Sequence, residues 1–287
     1  NLDSIINKNQ IAMKSLNING FNRNTDFKYP KNIKKIFNED NSIFIAHAGG
    51  EINGDIYTNS LDALDYNYSL GAKYFELDLQ ITSDNKIVAV HNWMEWAKLT
   101  NWEGEVPPSY HDFMSRNVFN KYIPLDIDAI NKWFSIYRDA VLITDKINSP
   151  SRLSNEFIFK DRLLMEIFDI DTLYTSTELG IKAIVSQNVI IDLLKQNKLK
   201  ILNELNYVAI SHSYLLGNLP LFKSLKNKSV KPLVFGFNDY FQTNGMSNYI
   251  FNEKEFFNNY SDYIHGIYVD NFSQLFNNDI IHNHQKN

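Results

Sequence analysis

Cysteine is absent from all 287 residues of this chain. Disulfides, thiolate metal centres and a cysteine nucleophile are excluded together, while the compartment stays open. A basic surplus is missing as well: 28 Lys and Arg stand against 33 Asp and Glu, a net charge of −5. Such a mixed, slightly acidic pattern offers no stripe for nucleic acid or anionic lipid. No apolar run reaches the length of a membrane-spanning helix. Apolar and aromatic residues, at 44% and 14%, are plentiful and suffice for one large core. The chain starts at Asn1 rather than Met. A removed leader or anchor is one explanation of that start, and it would favour a periplasmic, secreted or membrane-anchored protein over a cytoplasmic one.

Two regions differ in texture. Residues 1–41 are polar, rich in Asn and Lys, and read as an N-terminal extension or cap. Residues 42–287 alternate short apolar runs with helical spacing. Strands are expected at Ile43–Ala46, Lys73–Leu79, Lys86–Val90, Ala140–Thr144, Leu163–Phe168, Ala183–Val185, Tyr207–Ser211, Leu233–Phe237 and Gly266–Val269. Helices are expected at 60–70, 126–137 and 189–198. Repeated strand-then-helix order favours a parallel sheet, and the strand count suits a closed barrel in a single domain of ordinary barrel size. Asp78 and His91 are too close in sequence for a helical crossover, so a hairpin is expected there. Residues 92–122, with Trp93, Trp96, Trp102 and Pro107-Pro108, form a long excursion expected to act as a lid or binding loop.

The chemistry concentrates between two histidines. Glu76 and Asp78 stand i, i+2 on a strand and therefore share one face. Two adjacent carboxylates among Phe and Leu repel unless a cation neutralises them or one is protonated. Oxygen ligands at this spacing suit Ca²⁺ or Mg²⁺ better than Zn²⁺. A strand end whose acids reach solvent or pair with lysine is the plainer alternative. His47 and His91 each close an apolar run, where a parallel barrel builds its reactive face. One imidazole can take a proton from a nucleophile while the other protonates a leaving alkoxide, and a cation would offset phosphoryl charge. Gly49-Gly50 permits close backbone approach. In Thr58-Asn59-Ser60, Asn59 orients a ligand or the group caps a helix.

These residues resemble the motifs of the glycerophosphodiester phosphodiesterase family, within the phosphatidylinositol-phospholipase-C-like phosphodiesterases. The counterparts are His47-Ala48-Gly49 for His-Arg-Gly, Thr58-Asn59-Ser60 for Glu-Asn-Thr, and Glu76-Leu77-Asp78 for Glu-x-Asp. Thr82-Ser83-Asp84-Asn85 matches a Thr-x-Asp-Gly turn, and Val88 to Asn92 matches Val-x-x-His-Asp. Fainter likenesses run on through Ile123-Pro124-Leu125, Phe235–Asp239 and Gly266–Asp270. The resemblance spans about residues 42–275 and is most specific over 47–92.

It implies a TIM (β/α)8 barrel and a metal-dependent phosphodiesterase that binds one Ca²⁺ or Mg²⁺. The substrate implied is a glycerophosphodiester or related lipid head group, attacked by its own neighbouring hydroxyl. His47 and His91 would share the acid and base roles. Lys146 would contact phosphoryl oxygens, and the aromatic excursion around Trp93 and Trp102 would cover the leaving group. Two departures stand out. Ala48 replaces a phosphate-holding arginine, and Thr144 occupies the place of the third metal carboxylate, leaving Asp145 or Glu166 to supply it. On a regular strand Asp145 would face away from the position of Thr144, and a bulge could rotate it inward. The alternatives are a lyase that stops at a cyclic phosphate and a catalytically degenerate barrel that only binds a phosphorylated ligand.

Overall fold

Eight short apolar runs become the staves of a barrel. The computed structural model describes residues 43–202, 207–236 and 252–277; the expected extension over residues 1–41 lies outside them. Strands β1 (Ile43–Ala46), β2 (Tyr74–Ile81), β4 (Val141–Asp145), β5 (Leu163–Ile167), β6 (Lys182–Ser186), β7 (Tyr207–Ser211), β8 (Lys231–Phe235) and β9 (Gly266–Val269) pair in parallel. Pairing of β1 with β2 closes the ring. Helices packed outside complete a TIM-type (β/α)8 barrel. Of the expected strand Leu233–Phe237, the last residue lies outside the described chain, and the strand begins two residues earlier. Among the described residues no helix is long and apolar enough to cross a membrane.

Strand parity decides which residues see the barrel axis. Ile43, Ile45, Ile143, Leu164, Ile184, Ala209, Leu233 and Tyr268 form one interior cluster. Their sequence neighbours, among them Phe44, Phe75, Leu77, Leu142, Met165, Val208 and Ile267, join the larger core beneath the helices. Glu76 and Asp78 have the parity of Tyr74, which packs on the interior cluster, so both carboxylates point inward.

The expected hairpin is present. Strand β3 (Ile87–Ala89) runs antiparallel to the end of β2. The turn is made by the Thr82 hydroxyl, which bonds Asp84 and accepts from the Lys86 amide, and by Asn85 at φ 66°. The hairpin returns the chain to the barrel mouth, where Val90 N–H donates to the Asp78 carbonyl at 2.7 Å. Gln80 Nε2 then donates to the carbonyls of Val90 and His91. Position 91 is thus tied to β2 although no β2–β3 crossover helix exists.

Candidate active site

Six barrel-strand ends and two loops converge on a cavity of about 240 Å³. Its lining comprises His47, Tyr57, Glu76, Asp78, His91, Asp145, Lys146, Glu166, Phe168, Phe235, Gly236 and Tyr268. The mouth lies at the C-terminal ends of the strands, the reactive face of such barrels.

Glu76, Asp78 and Asp145 each offer an oxygen within 4.8 Å of the others. The third carboxylate needs no bulge. Parallel register pairs Asp78 with Asp145 and Leu77 with Thr144, so Asp145 shares the inward parity of Asp78 while Thr144 shares the outward parity of Leu77. The expectation that Asp145 faces away is corrected by this register, and Glu166, the other candidate, stands outside the triad. Lys146 follows at φ 68°. That left-handed turn lets adjacent residues both reach the cavity, with Lys146 Nζ 3.0 Å from Asp145 and 3.7 Å from Asp78.

The carboxylates are poorly compensated. Glu76 and Asp78 are 2% and 1% exposed. Burial, reinforced for Glu76 by the charge of Asp78, pushes its carboxyl well above the usual range. Burial also raises Asp78, against the opposing influence of His91. Ala48 N–H donates to Glu76 Oε2 at 2.7 Å, yet buried Glu76 Oε1 has no hydrogen-bond partner. An orphaned buried carboxylate oxygen beside two further carboxylates fits an oxygen-ligated Ca²⁺ or Mg²⁺. Asn59 is used differently from the substrate contact expected. Its Nδ2 donates to Asp78 Oδ2 at 2.9 Å, and its Oδ1 accepts from the Asp78 amide at 3.0 Å. Asn59 therefore clamps a carboxylate, and Ser60 beside it caps the next helix by accepting from Ala63 N–H.

Both histidines are oriented by acids. His47 Nδ1 lies 2.8 Å from Asp270 Oδ1, and His91 Nδ1 lies 3.0 Å from Glu95 Oε2. Each ring turns its Nε2 toward the cavity, that of His47 standing 3.9 Å from Glu76 Oε2, and the Nδ1 contacts fix both tautomer and direction. Burial alone would lower the pKa of His47, but the Asp270 hydrogen bond and the charges of Asp270, Glu76 and Asp78 outweigh it and raise it to about 9. Glu95 stands i+4 from His91 just inside the helix Trp93–Thr100, capped by Asn92, and that spacing was readable in the sequence. Asp270 was visible only as part of a motif, without a role.

Trp93 and Trp102 do not reach the cavity. Trp93 packs on Trp96 and Phe113, with ring centroids at 6.1 and 5.9 Å, and Trp102 packs on Trp96 at 5.9 Å. Their cluster also holds Val88, Val90 and Phe113. The excursion is a buttress beneath the His91 hairpin, and the aromatic wall of the cavity is instead Phe168, Phe235 and Tyr268. Tyr57, which sequence reasoning passed over, stands between the two histidines.

The model of the Glycerophosphoryl diester phosphodiesterase family matches residues 48–240. No curated protein matches the chain significantly in sequence. Among solved structures, a glycerophosphoryl diester phosphodiesterase of Parabacteroides distasonis aligns over 85% of this chain and 88% of its own, with 14% identity and a TM-score of 0.61. A putative glycerophosphodiester phosphodiesterase of Galdieria sulphuraria aligns over 82% and 96%, with 14% identity and a TM-score of 0.62. An Oleispira antarctica phosphodiesterase, solved with its product sn-glycerol-3-phosphate, aligns over 81% and 94%, with 15% identity and a TM-score of 0.54. At these identities the structures share the barrel.

Proposed function

This chain belongs to the glycerophosphoryl diester phosphodiesterase family and is an enzyme that hydrolyses phosphodiesters, and on that premise we propose that its substrate is a glycerophosphodiester with a free hydroxyl beside the phosphate. One observation carries the reading: three inward carboxylates lie at the same mouth as two histidines, each held through Nδ1 by a further acid. Side-by-side carboxylates on one strand also argue against glycosidase chemistry, which needs two opposed across a cleft.

Glu76, Asp78 and Asp145 would hold one Ca²⁺ or Mg²⁺. When bound, such an ion offsets the negative charge that builds on the phosphoryl oxygens. His47, held cationic by Asp270, donates its Nε2 proton to the leaving oxygen. His91 accepts the proton of the substrate hydroxyl as that oxygen bonds to phosphorus. The bond from phosphorus to the leaving oxygen breaks, giving a cyclic phosphate and a free alcohol. The roles then reverse: His47 takes a proton from water, water adds to phosphorus, and His91 returns its proton to the ring oxygen. Lys146 Nζ would bind a phosphoryl oxygen, a duty that Ala48 cannot perform. Asn59 keeps Asp78 aimed at the cation.

A phosphorus-31 NMR panel tests the substrate assignment. With Ca²⁺ or Mg²⁺ present, glycerophosphodiesters are expected to give glycerol phosphate, with cyclic phosphate as a transient. Phosphatidylinositol and lysophospholipids serve as competitors. Turnover of only the lipids, or of none, overturns it. Cyclic phosphate as the final product converts the assignment to a lyase.

A further inference from the structure

Neither the family motifs nor the acid–base chemistry has a use for Tyr57. Its backbone lies at φ 56°, a left-handed conformation that is strained for a bulky residue and persists only where the surroundings impose it. The surroundings here are specific. Glu51 N–H donates to the Asp270 carbonyl at 2.7 Å, and Asn59 N–H donates to the Ala48 carbonyl at 3.1 Å, so the loop is pinned on both sides of Tyr57. Tyr122 Oη donates to the Ile52 carbonyl and bonds Asp55 within the same loop. The result is a tyrosine ring inside the cavity, 4.8 Å from the His47 ring and 4.9 Å from the His91 ring, centroid to centroid. The contact with His47 is edge-on at 74°, and that with His91 is tilted at 41°. Both fall in the range where aromatic pairs attract.

We propose that Tyr57 is a positioning residue that sets the distance and mutual orientation of the two histidines by packing one ring against both. The two contacts hold the imidazole centroids less than about 10 Å apart, a span that a phosphodiester bridges with one oxygen toward each ring. A general acid and a general base are useful only within hydrogen-bond reach of the atoms they serve. His47 follows β1 and His91 follows β3, so their carriers are separate, and Asp270 and Glu95 fix each ring locally. Among the described residues Tyr57 is the aromatic ring that contacts both. The inference rests on the acid–base reading above, and its structural half is measurable without turnover.

Tyr57→Gly is the informative variant, because glycine adopts a positive φ without strain and the fold should survive. The expected result is a fall in kcat of about 100-fold, the scale of an ångström-level misplacement, with KM and Ca²⁺ or Mg²⁺ affinity little changed. Tyr57→Phe, which keeps the ring, is expected to stay within about threefold of wild type. In proton NMR the Hε1 signals of His47 and His91, shifted by the tyrosine ring current, both move in Tyr57→Gly and hold in Tyr57→Phe. Should the glycine variant fail to fold, Tyr57→Leu takes its place with the same expectations. The proposal is overturned if the ring-less variant keeps kcat, if phenylalanine loses as much as glycine, or if either imidazole signal stays in place. If wild type shows no turnover, the catalytic reading fails, and the imidazole signals alone decide the packing claim.

Discussion

Replacing His47 or His91 with alanine is expected to lower kcat by about a hundred- to ten-thousand-fold, the range that positioned proton transfer supplies. Cation affinity should be nearly retained in both variants, because neither ring belongs to the carboxylate triad. The two losses differ in kind. Asp270 and the neighbouring carboxylates raise His47 to about 9 despite its burial, and the proposed roles make it the proton donor to the leaving oxygen. A p-nitrophenyl ester of glycerol phosphate departs without protonation. His47→Ala should therefore recover much of its rate on that ester, whereas His91→Ala should not. Steady-state rates on an alkyl and an aryl ester separate the two roles. Equal losses on both esters for both variants would contradict the assignment. Removing both histidines should cost little more than removing one, since they act as a unit.

The second large effect lies in the carboxylates. Asp78→Asn and Asp145→Asn should each weaken Ca²⁺ or Mg²⁺ binding by at least about a hundredfold, more than the loss of a supporting residue around a metal, and abolish turnover at ordinary cation concentrations. Stability should move the opposite way in the cation-free protein. Burial raises the Asp78 carboxyl above its ordinary value. An acid whose folded pKa is raised stabilises the fold below the unfolded value and loses that contribution as pH rises through the folded one. At neutral pH Asp78 is therefore a cost, and asparagine removes it, so Tm of cation-free Asp78→Asn should exceed that of cation-free wild type. Thr144→Val is the control. Thr144 is fully buried on the outward parity with an unpartnered hydroxyl, so an apolar isostere should leave cation binding unchanged. Loss of binding in Thr144→Val, or its retention in Asp145→Asn, would overturn the register argument.

Much of this site could be read before folding because β-strand parity is a strict period of two. Glu76 and Asp78 had to share a face, and the short interval from Asp78 to His91 required a hairpin. Asp145 was harder. Its parity is visible only relative to a partner strand, and register is a tertiary fact that no single strand contains. Lys146 reaches the same cavity through a left-handed φ at a non-glycine position, which composition does not announce. Asn59 carried two signals, capping and ligand contact, and the structure uses it for a third. The tryptophans of residues 92–122 pack into a cluster of their own rather than over the cavity. Aromatic content establishes that area will be buried, not whether a core or a substrate buries it. Tyr57 lacked any periodic or motif signal, because a loop pinned from Asp270 and Tyr122 places it.

The central claim is that a buried, undercompensated carboxylate cluster is the cation site on which phosphodiester cleavage depends. Calorimetric titration of Ca²⁺ and Mg²⁺ into chelator-treated wild type, at about pH 7.5 and about pH 5.5, addresses it most directly, since cations and protons compete for the same oxygens. Raised carboxyls at Glu76 and Asp78 hold more protons at the lower pH. The account therefore predicts one ion per chain, bound more weakly there, with turnover lost on chelation and restored on titration. Absence of binding at either pH, with glycerophosphodiester turnover undiminished in chelator, would contradict it.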